Sequence, residues 1–181
     1  MASITSTGAI KDKAGSNLWT LWEVDDTFAA VTPFTCYGIG SIKETTQEQS
    51  TSVTKFKNES GNVEASTADF EVSLKGVIMD SSKSLIDFLS TTVKGKYYGL
   101  YRRRNSIDGK TQEWFYGFGE VTPQHNVKSP GGADSMPFEY IALNNSSAIT
   151  LSTTTLASIG AYVTAAVTIP IAGIFTITET A

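Results

Sequence analysis

Gly38-Ile39-Gly40-Ser41-Ile42-Lys43 has part of the spacing of a phosphate-cradling loop: two glycines for close backbone approach and a lysine for charge. The third glycine is missing. No helix pattern follows to aim its first N–H groups at an anion, so the glycines read as a bulge or tight bend in a strand. Glu23, Asp25 and Asp26 could offer oxygens to a cation, but they lack EF-hand spacing and read as a solvated turn. His125 lies in a Pro/Gly loop, and no serine or cysteine sits in a nucleophile motif. One histidine and one cysteine, Cys36, are too few for a zinc site and exclude an internal disulfide. No catalytic residue, cofactor or metal is expected.

Two further groups could bind. Arg102-Arg103-Arg104, with Lys94 and Lys96 nearby, is the one concentration of positive charge, and Tyr97, Tyr98, Tyr101 and Trp114 lie beside it. It could be a platform for single-stranded nucleic acid, a solvated hairpin turn, or a partner for acids of a neighbouring subunit such as Glu44, Glu48 or Asp69. A net charge of -4 speaks against nucleic-acid binding. Trp19, Trp22 and Trp114 could instead stack on sugar rings, as in a β-sandwich carbohydrate-binding module.

The elements that would position these residues are mostly strands. Residues 1–17 read as an extended N-terminal arm, and Met1-Ala2-Ser3-Ile4-Thr5 has no signal-peptide pattern. Leu18-Trp19-Thr20-Leu21-Trp22 suits a strand or an anchoring segment. Ile42–Lys57 is long, polar and rich in threonine, with few side chains able to fill a core. It meets Val63–Met79 at the turn Asn58-Glu59-Ser60-Gly61-Asn62. The return strand alternates Ala68, Phe70, Val72 and Leu74 against Asp69, Glu71, Ser73 and Lys75, the period of a sheet buried on one face.

One helix is expected over 82–94. Ser81 or Ser82 would cap it, Leu85, Ile86, Phe88, Leu89 and Val93 would form its apolar side, and Gly95 would follow its end. Tyr97–Arg104 and Lys110–Val121 form a second hairpin around Asp108-Gly109. Trp114, Phe115, Tyr116 and Phe118 put bulk on both of its faces, so it should be covered on both. A long loop over 124–134 precedes a strand at Ser135–Leu143. The stretch 148–181 is an apolar extension with the texture of two or three more strands. Leu156–Phe175 is apolar, but Ser158, Thr164, Thr168 and Pro170 interrupt it, so no membrane span is expected.

This order resembles that of bacteriophage tail tube (major tail) proteins. The polar strand into Phe56-Lys57-Asn58-Glu59-Ser60-Gly61-Asn62, the return strand Asp69-Phe70-Glu71-Val72-Ser73-Leu74, the helix and the hairpin Tyr97–Val121 carry the likeness, over residues 40–145. The resemblance implies a mainly β fold: a β-sandwich or partial barrel with one flanking α-helix and a long hairpin. The domain would span 18–147, with 148–181 appended. It also implies a non-enzymatic virion protein of the tail, assembled in the host cytoplasm. Stacked, hexameric rings would enclose the tape-measure protein and double-stranded DNA without reading sequence. Glu44, Glu48, Asp69 and Glu71 would line the channel. Leu18, Trp19, Trp22, Arg102, Arg103 and Arg104 would meet neighbouring subunits, and the arms 1–17 and 148–181 would reach neighbouring rings. The same architecture serves tubes of contractile injection and type VI secretion systems.

Overall fold

Aromatic and β-branched residues in period-two alternation make this a mainly β chain. The computed structural model describes residues 18–51, 53–67, 71–78, 83–105, 110–124 and 135–180. The strands are β1 (Leu18–Val24), β2 (Cys36–Ser50), β3 (Val53–Lys57), β4 (Val63–Thr67), β5 (Glu71–Ile78), β6 (Tyr97–Asn105), β7 (Thr111–Tyr116) and β8 (Gly119–Val121). They continue as β9 (Met136–Ala142), β10 (Ile149–Leu151), β11 (Val167–Ile169) and β12 (Phe175–Thr180). Eight of them form one antiparallel sheet in the order β12-β7-β6-β1-β2-β5-β9-β8, and β3-β4 and β10-β11 pair separately.

The chain passes from one half of this sheet to the other at two described places, one of them within β2. Cys36–Ser41 of β2 pairs with β1, and Ile42–Ser50 pairs with β5. Between Lys43 and Thr46 the register shifts at a bulge, where Glu44 takes φ 54° and the Thr45 hydroxyl donates to the Ile42 carbonyl. Bulges bend a strand and increase its twist. A second register shift lies where Gly38 and Gly40 were expected to mark one. The other crossing is Gly117-Phe118, between β7 and β8. A Cβ on Gly119 would come within 2.4 Å of the Ile141 carbonyl, so the chain packs closely as it turns.

The two halves enclose the main core. Trp19, Leu21, Leu100 and Tyr116 face Val72, Leu74, Phe138 and Tyr140. Trp19 meets Phe138 edge-on at 5.3 Å between centroids, and the Tyr140 hydroxyl donates to the Tyr98 carbonyl at 2.9 Å. The helix covers part of this core. It begins as α1 (Lys83–Asp87) and widens into a π-turn over Phe88–Thr92, closed by Val93 N–H donating to the Phe88 carbonyl. The expected apolar side is the buried one, with Leu85, Phe88, Leu89 and Val93 in the core. Gly95 follows at φ 69°. Regular α-helix is not kept to residue 94, because the wider turn brings Phe88 and Val93, five apart, to the same side.

A second core lies on the outer face of the β12-β7-β6-β1 half. Trp22, Val24, Cys36, Tyr101 and Phe115 are covered there by β10, by β11 and by a second helix, α2 (Thr153–Ser158), which contributes Leu156. The hairpin β6–β7 is thus covered on both faces. The stretch 148–181 holds three short strands, as its texture suggested, and also α2, which was not expected. Rather than extending away, residues 149–180 fold back on the sheet, with β12 pairing along β7. The apolar run 156–175 is divided between α2, β11 and loops, and no helix among the described residues is long and apolar enough to cross a membrane.

The contact between β1 and β6 is tight. A Cβ at Gly99 would fall 2.0 Å from Cζ2 of Trp22, its cross-strand partner. Gly99→Ala is therefore expected to cost about 1–3 kcal/mol by overpacking, read as a lower midpoint in chemical denaturation with an unchanged slope. An unshifted midpoint would show that Trp22 moves aside freely.

Candidate functional site: a polar sheet face with open edges

The half-sheet β2-β5-β9-β8 has one face in the core and one outside. Val72, Leu74 and Ile78 of β5 stand across from Ala142, Tyr140 and Met136 of β9, all buried. The alternate positions form the outer face: Lys43, Thr46 and Glu48 on β2, Glu71, Ser73 and Lys75 on β5, Glu139 and Ile141 on β9, and Glu120 on β8. Four carboxylates against two ammonium groups give this face a balance of -2.

Lys75 ties three strands together, 3.6 Å from Glu48 and 3.5 Å from Glu139, and the Ser73 hydroxyl donates to Glu139 at 3.3 Å. Exposed pairs of this kind contribute about 0–1 kcal/mol each. Their effect here is to hold the charges in a fixed array while Glu71 and Glu120 remain exposed. Among the expected acidic residues, Glu48 and Glu71 share this face; Glu44 is exposed in the bulge at its margin, and Asp69 lies outside the described residues. Glu120 and Glu139 were not singled out from the sequence. The alternation Met136-Pro137-Phe138-Glu139-Tyr140-Ile141-Ala142 would have placed Glu139 opposite the core face.

The edges of this half-sheet matter as much as its face. Ile42–Ser50 has β5 on one side; on the other, the described part of β1 starts at Leu18, opposite Ser41. Among the described residues that second edge of β2 has no strand against it. The strand order ends at β8. Beyond Ser50 the ribbon continues as β3–β4, a two-stranded segment in which every β3 residue is exposed, including Val53 at 52% and Phe56 at 48%. A two-stranded ribbon alone is marginally stable in water, and open edges invite pairing.

The residues expected at a subunit contact fall elsewhere. Leu18, Trp19 and Trp22 are buried within the chain, Trp19 completely. Arg102 and Arg103 are buried too, because strand alternation sends them to opposite cores. Arg102 lies between the rings of Trp19 and Trp114, at 5.5 and 5.6 Å from their centroids. Burial pulls its pKa down, partly offset by the Tyr116 hydroxyl. Arg103 stacks on Tyr162 at 4.1 Å. Only Arg104 of the three is exposed, and its Nε donates to Gln112. No basic triple patch therefore faces a nucleic acid or a neighbour's acids. Burial of Trp19 and Trp22 also removes two of the three surfaces a carbohydrate module would need.

No family model matches the chain, and no curated protein matches it by sequence. Among solved structures, the chain is similar to one in the 6-fold symmetrised cryo-EM structure of the anti-feeding prophage (AFP) baseplate. The match has 7% identity and a TM-score of 0.37, and covers 74% of this chain and 92% of that one. A likeness at that score does not establish a common fold.

The remaining candidates resolve into structural roles. Asp25 Oδ1 accepts from the Thr27 amide and hydroxyl and from the Ala29 amide, and the Thr27 hydroxyl is the main cause of its lowered pKa. Glu23 pairs with Lys96 at 2.9 Å. These acids thus shape a turn. No three His, Cys, Asp or Glu side chains gather as around a metal among the described residues. Burial pushes the Cys36 thiol up to about 12, which leaves it inert as a nucleophile. His125 lies outside the described residues.

Proposed function

We propose that this chain is a structural subunit of a tail tube of the phage type, a self-assembling conduit for double-stranded DNA. One observation carries the reading: among the described residues, a four-stranded half-sheet, buried on one face and acidic on the other, is open along β2 and ends at β8. Edge-to-edge pairing of copies would satisfy these backbone groups and close the sheet into a ring, which abolishes edges. Six copies would give a barrel on the order of 45 Å across at the backbone, from ~4.8 Å between strands and a tilt of ~40°.

The face turned inward would be Lys43/Glu48/Glu71/Lys75/Glu120/Glu139. Its negative balance repeats around the ring and disfavours the phosphate contacts that would hold DNA in transit. A tape-measure protein and DNA would occupy the lumen without sequence-specific contacts. The place of action is the virion tail, after assembly in the host cytoplasm. No catalytic step is assigned to any residue. A tube of a contractile injection or type VI secretion system would use the same edges and differ in cargo.

Negative-stain imaging of the purified protein over a range of concentrations tests this. Rings or tubes of uniform diameter are expected. A protein that stays monomeric at high concentration, with the β2 edge slow to exchange its amide hydrogens, would overturn the reading.

A further inference from the structure

β12 stands at one end of the sheet order. Among the described residues it pairs with β7 alone, over six positions from Phe175 opposite Tyr116 to Thr180 opposite Thr111. Its side-chain contacts converge on that strand and the residue before it. Phe175 lies 5.3 Å from the ring centroids of Trp114 and Tyr116. Glu179 pairs with Lys110 at 2.8 Å and accepts from Gln112, and the Thr180 hydroxyl donates to Glu113. The Thr176 hydroxyl, which donates to the Thr168 carbonyl, is an exception. The seat of β12 is thus built mostly from residues 110–116, and a second copy of this chain carries the same seat.

The link from β11 to β12 is short and strained. Residues 170–174 carry the chain from Ile169 to Phe175. Ala172 holds φ 57°, the left-handed region that crowds a Cβ, and a Cβ on Gly173 would come within 2.8 Å of the Pro170 carbonyl oxygen. Two backbone bonds fasten this turn to Asn145: the Ala172 N–H donates to its carbonyl at 2.8 Å, and its own N–H donates to the Gly173 carbonyl at 3.3 Å. Asn145 is 2% exposed, yet neither polar atom of its side chain has a partner among the described residues. Opening the turn would relieve Ala172 and bring water to that amide, which offsets part of the loss of the two backbone bonds. Short hinges under strain favour exchange of an element between copies.

We propose that β12 is an exchangeable strand, which leaves its own β7 and pairs with the β7 of a second copy when copies are held close. Its contacts with residues 110–116 are remade between chains, and only the turn changes shape. Extended, the five linking residues reach about 17 Å, so the receiving β7 belongs to a neighbour in direct contact. At home the strand competes at an effective concentration on the order of millimolar, so dilute protein keeps its own β12. The exchange does not depend on the proposed tube. That a tube supplies the crowding, and is braced by exchanged strands, rests on that reading.

Two single variants of the full chain, Gln112→Cys and Glu179→Cys, test this. The two positions are directly opposed and have the Cα spacing a disulfide needs. Their mutual hydrogen bond is exposed, so its loss weakens home and exchanged pairing alike. The native Cys36 is buried and should not compete. The variants are mixed at a concentration on the order of millimolar, incubated, diluted and oxidised. A disulfide dimer joining position 112 of one chain to 179 of the other is expected by peptide mapping, with about tenfold less from a mixture kept dilute throughout. Gln112→Cys mixed with Ser158→Cys, whose cysteine lies on α2, should give none. Adding Ala172→Gly to the Glu179→Cys chain should lower the yield several-fold, because glycine takes the left-handed turn without steric cost and favours the home strand.

A 112–179 bond that forms no more than the 112–158 bond would overturn the exchange. A yield unchanged by Ala172→Gly would overturn the part given to the turn. Rings or tubes without the 112–179 bond would sink the exchange and leave the proposed function standing. The bond without rings or tubes would do the reverse.

Discussion

Glu113→Ala is expected to be the most destabilising single change in the chain, at about 3–5 kcal/mol, because it orphans the buried Tyr101 hydroxyl and three part-buried donors at once. Glu113 is completely buried on the outer face of β7. Its carboxylate accepts from the Tyr101 hydroxyl at 2.8 Å, the Tyr162 amide at 2.6 Å, the Val163 amide at 3.0 Å and the Thr180 hydroxyl at 3.0 Å. These donors lie on β6, on the segment after α2, and on β12. One side chain therefore pins the covering segment and the edge strand to the sheet, with Arg103 stacked beneath Tyr162 at the same place.

Chemical denaturation measures the loss. Glu113→Gln keeps the shape and one of the two acceptor oxygens, so two of the four donors stay paired and its cost should be smaller, about 1–3 kcal/mol. The two variants should also differ in thiol reactivity. Loosening the cover over Trp22, Tyr101 and Cys36 should let a thiol reagent reach Cys36 in the alanine variant well before global unfolding. If Cys36 stayed protected and the midpoint moved no further than for glutamine, the clamp would not be holding the cover.

Reversing charge on the outer face should have the opposite profile, a large effect on transport with almost none on folding. Glu48→Lys with Glu71→Lys turns a balance of -2 per subunit into +2. Both residues are exposed, and Lys75 keeps its contact with Glu139, so the cost to stability should stay below about 1 kcal/mol. In a closed ring the change is multiplied by the number of subunits. The lumen would then hold phosphate, with affinity falling steeply as salt rises. Particles carrying this variant should assemble, yet retain DNA after triggering, and release should recover as ionic strength is raised. Normal ejection at low salt would mean that this face does not line the channel.

Much of the architecture was legible because it rests on local periodicity. The alternation around Val72 and Leu74 places the core face of β5, and the spacing of Leu85, Phe88, Leu89 and Val93 places the buried side of the helix. Gly38 and Gly40 mark the irregular stretch of β2, and the aromatic hairpin is covered on both faces. The tail was less legible. Ser152-Thr153-Thr154-Thr155 looks like strand by its β-branched residues, but Ser152 caps α2 by accepting from the Thr155 amide, and Leu156 gains burial in the second core. Tertiary packing overrode propensity there.

The site was harder to read for two reasons. A run of three arginines looks like one patch, but adjacent strand residues point to opposite faces, so Arg102 and Arg103 enter different cores. The polarity of Ile42–Lys57 suggested a strand surrounded by other chains or water, which does not hold for its Ile42–Ser50 part. It has β5 of its own chain on one side, and only its other edge lies open among the described residues.

What the sequence alone determined is therefore most of the elements before the tail and the faces they bury, because side-chain period and turn chemistry are local. Which glutamates share a face, which strand edge lacks a partner, and how Glu113 fastens the tail were decided only in three dimensions. Those depend on pairing between strands far apart in the chain, and one bulge at Glu44 is enough to change which side chains stand together.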